Sequence, residues 1–198
     1  GGEHVSNTKW LYDKYFSSVR NGVYIESGAL DGVDGSNTIF FDKFLGWSGL
    51  LVEPNPVNFA KLLRTRPHAY RVEMALSDTP GSLDMMGDFG SVVGAVAHMG
   101  SNFKGAFHGS RSDTYAVASD RIDTWLKAAG LTHVDLWVLD VEGAELVGLK
   151  GMDFDAIFVD VIMVEMNDAH GKAHLEAVRQ HLKTHGFSFQ GNLGNMNE

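Results

Sequence analysis

The sequence predicts an α/β protein with a mostly parallel sheet and helices on both faces, on three observations. Short runs rich in β-branched and aromatic residues alternate along the chain with amphipathic stretches. Two of those runs, Leu50-Leu51-Val52 and Leu136-Trp137-Val138-Leu139, are continuously apolar, the pattern of a strand covered on both sides. Four runs close on an acid, at Glu26, Glu53, Asp140 and Glu165. In an open parallel sheet the carboxyl ends of the strands share one edge, where ligands bind, so these acids are expected to gather at a site.

Strands are predicted over 23–27, 49–53, 69–76, 134–140, 157–165 and 187–190, and helices over 37–45, 56–64, 121–129, 144–149 and 169–185. The first strand ends at Glu26 and turns through Ser27-Gly28-Ala29-Leu30-Asp31-Gly32 into a helix that starts near Ser36 or Asn37. Strand then alternates with helix, as a parallel sheet requires. One region breaks the alternation. Residues 79–119 are rich in Gly, Ser, Met and Phe, with weak period-2 runs over 82–86 and 114–118, and are read as a hairpin or flap inserted between the third and fourth strands. Such a length without a helix is characteristic of a lid or binding loop, and equally of a surface excursion. His98 and His108 lie in it with Phe103 and Phe107, as a roof over a substrate or as anchors of the loop. The last strand, 187–190, leads into a polar tail and has no following partner, so one domain over 1–198 lacking its final strand is expected.

The 198 residues fit one ordinary domain with a continuous core. A composition 44% hydrophobic and 21% charged is that of a globular protein, and no apolar run approaches the ~20 residues of a membrane span. The chain opens on Gly1-Gly2 with no visible signal peptide, which suggests an excised piece and a cytoplasmic location. Zero cysteines exclude disulfides, thiol catalysis and cysteine–zinc sites. A formal charge of −9 argues against a nucleic-acid partner, because phosphate backbones demand a basic surface. Neither a nucleic-acid nor a membrane partner is expected; a neutral or cationic small substrate is.

Glycine at the first bend removes a Cβ that would block close approach of the backbone to a ligand. A simple turn with a helix cap explains the same residues. The turn does not match Gly-x-Gly-x-x-Gly, but Glu53 closes the next strand, near the offset of ~20 residues at which dinucleotide folds set an acid on ribose hydroxyls. Acids also flank the bend at Glu26, Asp31 and Asp34, which disfavours a phosphate. A cofactor with a ribose, an ammonium and a sulfonium, S-adenosylmethionine, suits these acids better than NAD.

The motifs Tyr24-Ile-Glu-Ser-Gly-Ala-Leu-Asp-Gly32, Ser36-Asn-Thr38, Gly46-Trp-Ser-Gly-Leu-Leu-Val-Glu-Pro-Asn-Pro56, Ala75-Leu-Ser-Asp78, Arg121-Ile-Asp-Thr-Trp-Leu126 and Leu139-Asp-Val-Glu-Gly-Ala-Glu145 occur in this order. Together they resemble the successive motifs of the FkbM-type methyltransferase family. That resemblance implies a class I, Rossmann-like methyltransferase fold and methyl transfer from S-adenosylmethionine, usually to a hydroxyl oxygen. It implies that Glu26, Gly28 and Ala29 line the methionine end, Glu53 the ribose hydroxyls, and Ser77 or Asp78 the adenine. Asp31, Asn37, Pro54 and Asp140 complete the expected cofactor contacts. The inserted 79–119 segment and the missing final strand are where the resemblance stops.

Methyl transfer to an alcohol needs a group that takes the hydroxyl proton, or a metal that acidifies it. Asp140, Glu142 and Glu145 follow one strand, and Glu165, Asn167 and Asp168 end the next, so their oxygens can converge across ~4.8 Å of strand spacing. Asp140, Glu142 and Glu165 are the candidate catalytic residues. A Mg²⁺ or Ca²⁺ held by Asp140, Glu165 and Asn167 or Asp168, a set that resembles that of catechol-type O-methyltransferases, is the alternative to a metal-free base at Asp140 or Glu142 and to a purely structural cap at Asn167 or Asp168. His170 and His174, spaced i, i+4 on the predicted helix, could bind a metal but, without a third ligand nearby, are read as a solvated face, and Trp47, Trp125 and Trp137 as core or helix–sheet packing. The favoured function is an S-adenosylmethionine-dependent O-methyltransferase acting on a small molecule or sugar. An NAD-linked oxidoreductase or epimerase, which lacks its glycine turn and a Tyr-x-x-x-Lys pair here, and a non-catalytic module derived from a methyltransferase are the competing readings.

Overall fold

Why the strand-end acids meet is a matter of register. The computed structural model describes residues 2–87, 93–98, 114–193 and 196–197, and side chains from Asn7 to Leu193 within them. Its strands are β1 (Val23–Ser27), β2 (Ser48–Val52), β3 (Tyr70–Val72), β4 (Ala75–Leu76), β5 (Gly81–Gly87), β6 (Val93–Ala95), β7 (Thr114–Asp120), β8 (His133–Leu139), β9 (Phe158–Glu165), β10 (Asn192–Leu193) and β11 (Met196–Asn197). Its helices are α1 (Gly2–Leu11), α2 (Ile39–Leu45), α3 (Pro56–Thr65), α4 (Ile122–Ala128), α5 (Glu145–Lys150) and α6 (Lys172–Thr184). Seven strands form the main sheet in the order β10-β11-β9-β8-β1-β2-β3, and β3, β2, β1, β8 and β9 run parallel. Ser27 pairs with Val52 and with Leu139, and Leu139 with Val164. The next residues, Gly28, Glu53, Asp140 and Glu165, therefore emerge side by side at the carboxyl edge.

Alternation along each strand divides the core. Ile25, Val52, Trp137, Leu139 and Ile162 pack with Ile122, Leu126, Leu149, Leu175 and Val178 of α4–α6 on one face. Tyr24, Leu51, Leu136, Val138 and Met163 pack with Leu11, Phe16, Phe41, Trp47 and Leu62 on the other. Trp137 is fully buried, and its indole N–H is satisfied by Ser27 Oγ at 3.1 Å. Trp47 is buried as expected, but Trp125 is 40% exposed and contributes little to either face.

Three expectations need correcting. The predicted strand 69–76 is two strands: β3 stays beside β2, and after Glu73 and Met74 the chain crosses into a second sheet where Ala75 pairs with Ser119. That sheet, in the order β4-β7-β5-β6, is what the inserted segment builds, with β5 and β7 antiparallel over Gly81–Met86 and Thr114–Ser119. Residues 187–190 form no strand; the polar tail pairs instead, with β11 antiparallel to the Val164–Glu165 end of β9. The helix predicted from 169 begins at Lys172, because Gly171 has φ +94° and separates it from a 3-10 turn over Asp168–His170. Phe103, Phe107 and His108 lie outside the described residues.

Candidate active site

The bend after β1 is held by backbone. The N–H groups of Gly28 and Ala29 both donate to the Val52 carbonyl, at 3.0 and 3.1 Å, and Asp140 N–H donates to Ser27 O at 3.0 Å. Gly28 has φ +84°, and a Cβ there would lie 1.8 Å from the Asp140 carbonyl oxygen. Glycine is thus required by the approach of the β8 end to the β1 end, a reason that sequence did not offer, and Gly28 also lines the cleft.

Glu26 also has a different place from the one expected. The strand runs on through Ser27, so Glu26 stands one residue short of its end, on the Tyr24 face. Its carboxylate accepts from Ser36 Oγ at 2.8 Å, Asn37 N–H at 2.8 Å and Thr38 Oγ1 at 2.6 Å, fixing the entry to α2. Behind it lies Arg66, fully buried, which donates to Gly32 O, Ser36 Oγ, Tyr24 Oη and Thr38 Oγ1 and pairs with Asp42. Asp31 likewise serves the loop: its Oδ1 accepts from Val33 and Asp34 N–H, bonds that hold its carboxyl below the ordinary range although burial opposes them. Glu26, Asp31 and Asn37 shape the bend from behind.

Glu53 faces the cleft. It is 1% exposed, accepts from Leu30 N–H at 2.8 Å through one oxygen and from Asn55 N–H at 2.9 Å through the other, and so ties the β1 bend to the start of α3. Burial pushes its carboxyl up to about 7, against the lowering effect of those backbone bonds and of Asn58. With Asn58 as a third donor, one lone pair remains for a further one. The cleft is lined by Gly28, Leu30, Glu53 and Pro54 on one side, by Met74, Ala75 and Leu76 below, and by Met85, Val93 and Ala95 of the second sheet. The inserted segment is therefore a wall of the site. Ser77 and Asp78 follow that lining but are not part of it: Ser77 Oγ accepts from Thr79 N–H, and Asp78 O accepts from Arg121.

At the far end, Asp140 and Glu142 line the cleft with Val141 and Ala144. Asp140 is held well above the ordinary carboxylate range by burial, then by Glu165 and Glu142, and it is the protonated partner that donates to Glu165. Burial, then Glu165 and Glu145, push Glu142 up to about 8. Glu145 is buried differently. Its Oε1 takes the N–H of Gly143 at 2.9 Å and its Oε2 meets His174 Nε2 at 2.8 Å, so His174 is a partner of the acid cluster and not a solvated face. His170 is also drawn in: one donor atom each of Glu142, Glu165 and His170 lie within 4.8 Å of one another. Asn167 caps its own turn through Ala169 N–H at 3.0 Å and also meets Glu165, and Asp168 is exposed. Of the metal set expected from sequence, Asp140, Glu165 and Asn167 are thus brought together and Asp168 is not. The apolar wall was not anticipated, and His170, expected with His174 on a solvated face, is instead part of the site.

A parallel sheet whose order reverses between β1 and β8, with an acid-lined cleft outside that point, defines a cofactor-binding α/β enzyme of the class I methyltransferase type. The chain belongs to the FkbM methyltransferase family: the model of the Methyltransferase FkbM domain matches residues 26–189. It is accordingly an S-adenosylmethionine-dependent methyltransferase, and the NAD-linked alternative falls. Among solved structures, a TehB-like SAM-dependent methyltransferase from Corynebacterium glutamicum ATCC 13032 Kitasato is similar, with 14% identity and a TM-score of 0.47 over 96% of this chain and 85% of that one. No curated protein matches. No helix among the described residues is long and apolar enough to cross a membrane.

Proposed function

We propose that this chain transfers the methyl group of S-adenosylmethionine to a hydroxyl oxygen of a small molecule or sugar. The observation that carries the reading is the crowding of Asp140, Glu142 and Glu165 at one end of a cleft whose other lining is apolar around Glu53. The chemistry of that lining fits the cofactor. Glu53 has a lone pair for a ribose hydroxyl, Met74, Leu76 and Val93 offer flat apolar surface for a base, and the acids suit an ammonium and a sulfonium. Bound S-adenosylmethionine supplies an activated methyl group, so the protein's part is alignment, exclusion of water and proton removal.

The acceptor oxygen bonds the methyl carbon while the electron pair of the S–C bond stays on sulfur, and the hydroxyl proton passes into the Asp140–Glu142–Glu165 cluster. Carboxyls raised toward neutrality are matched to that task, because a proton acceptor works best with its pKa near the operating pH. With a net charge of −9, a small neutral or cationic acceptor is favoured over nucleic acid. A cytoplasmic setting belongs to the same proposal.

The test is incubation with methyl-labelled S-adenosylmethionine and a panel of hydroxyl-bearing small molecules and sugars. Label is expected in a methyl ether that survives mild base. Label in an amine, a carbon position or a base-labile ester would overturn methylation of a hydroxyl oxygen while leaving the family intact.

A further inference from the structure

Four carboxyl groups, of Asp140, Glu142, Glu145 and Glu165, gather at the acid end of the cleft, and apart from one another Asn167 acts on Glu165 and the histidines lie beside Glu145. No lysine or arginine among the described residues pairs with any of them. Glu145 is satisfied by Gly143 N–H and His174. Glu165 is met by Asp140 and Asn167, yet its Oε2 is buried and accepts no hydrogen bond from an N–H among the described residues. A buried carboxylate oxygen left without a donor is costly, and a bound cation removes that cost.

We propose that Glu142, Glu165 and His170 bind one divalent transition-metal ion, of the Mn²⁺ to Zn²⁺ kind in preference to Mg²⁺. The three come from separate elements, the β8–α5 turn, the end of β9 and the 3-10 turn over Asp168–His170, and their donor atoms already lie within 4.8 Å of one another. Metal–ligand bonds of ~2.1 Å put donors up to ~4.2 Å apart, so a shift of a few tenths of an ångström in flexible side chains closes the set. The imidazole decides the class of ion. Mg²⁺ prefers all-oxygen ligands and its own waters, whereas one nitrogen with two carboxylates suits Mn²⁺, Fe²⁺ or Zn²⁺. Gly143, between the acid turn and His170, keeps the approach open: a Cβ there would stand 2.6 Å from His170 Nδ1.

The ion would sit at the Glu142 end of the cofactor cleft, where a positive charge would lower the pKa of an acceptor hydroxyl, whose proton would pass into the carboxyl cluster. That catalytic use rests on the proposed O-methylation; the binding itself does not. A second group, His133, Asp135 and Asp160, also has donor atoms within 4.8 Å of one another, at the other edge of the sheet. It is already committed internally, with Asp135 accepting Val23 N–H at 2.7 Å and Asp160 meeting His133 at 2.9 Å. It serves as the control.

The experiment is titration of the full chain with Mn²⁺, followed by the electron paramagnetic resonance of the free ion, with Mg²⁺ in parallel. One Mn²⁺ per chain is expected. Glu165→Gln and His170→Ala should each weaken it by more than about tenfold, His133→Ala should not, and Mg²⁺ should bind more weakly. Retained binding of S-adenosylhomocysteine shows that the variants are folded, and keeps a failure of the metal site distinct from a failure of the methyltransferase reading. In the wild-type chain, Mn²⁺ should broaden the NMR signals of His170 and leave those of His133 sharp. No Mn²⁺ bound by the wild type, wild-type affinity in both variants, loss in His133→Ala, or broadening centred on His133 would each overturn the proposal.

Discussion

Glu53 makes stability depend on pH in a direction opposite to that of an ordinary surface acid. Its carboxyl is pushed from 4.5 up to about 7 in the folded chain, chiefly by burial. The folded state therefore holds this proton more tightly than the unfolded state. The stabilisation is complete below the unfolded pKa, falls as pH rises, and is lost once pH passes about 7. At ~1.4 kcal/mol per pH unit, the interval corresponds to about 3 kcal/mol. Glu53→Gln removes the titration while keeping the shape. Urea unfolding of both proteins without cofactor, from pH 4.5 to 7.5 at constant ionic strength, should show the wild type losing about 3 kcal/mol relative to the variant. Taking the difference cancels the contributions of Asp140, Glu142 and Glu165, which have the same sign. Parallel curves would refute the argument, because they would mean that Glu53 ionises as if in water.

Two further variants test the frame behind the cleft. Arg66→Met leaves Asp42 and Glu26 without their guanidinium and should cost about 3–5 kcal/mol in urea unfolding, where a loss under about 1 kcal/mol would show that the buried network is not a support. Gly28→Ala meets both the left-handed φ and the Asp140 carbonyl, so a loss of about 2–4 kcal/mol is expected even without cofactor; unchanged stability would return the glycine to a purely ligand-related role.

The central sheet was legible because its chemistry is local. Apolar runs bounded by acids located β1, β2, β8 and β9 to within a residue at most ends, and alternation with helices gave the parallel sheet, while the Rossmann-like fold came from the family resemblance. Which sheet a strand joins is not local. Nothing in Ala75-Leu76 distinguishes pairing with Ser119-Asp120 from continuing beside β2, so one predicted strand became two. Phe187 and Phe189 alternate with polar residues as a strand would, yet Phe187 packs against Phe154 and Phe189 is 58% exposed. The N-terminal helix and the π-helical turn over Tyr12–Phe16 were not anticipated, although Leu11 and Phe16 go on to anchor one face of the sheet.

At the site, residue type was easier to read than residue role. Glu53, Asp140, Glu142 and Glu165 were recognisable as strand-edge acids, and register brings them to one cleft. Glu26 looked the same in sequence, but one more residue of strand turns it onto Ser36, Asn37 and Thr38. Arg66 carried no sequence signal at all, since a lone arginine after a helix is ordinarily solvated and here it is 1% exposed. His170 reaches Glu142 and Glu165 only because Gly171 ends its turn and starts α6 separately, which a helical-wheel reading through 169–185 conceals.

The most direct test of the carboxyl-edge cleft as the cofactor site is calorimetric titration with S-adenosylhomocysteine and, separately, NAD. One S-adenosylhomocysteine per chain is predicted, weakened by about 1–3 kcal/mol in Glu53→Ala through the loss of a buried charged acceptor, with no heat from NAD. Equal affinity in wild type and Glu53→Ala, or binding of NAD in place of S-adenosylhomocysteine, would contradict it.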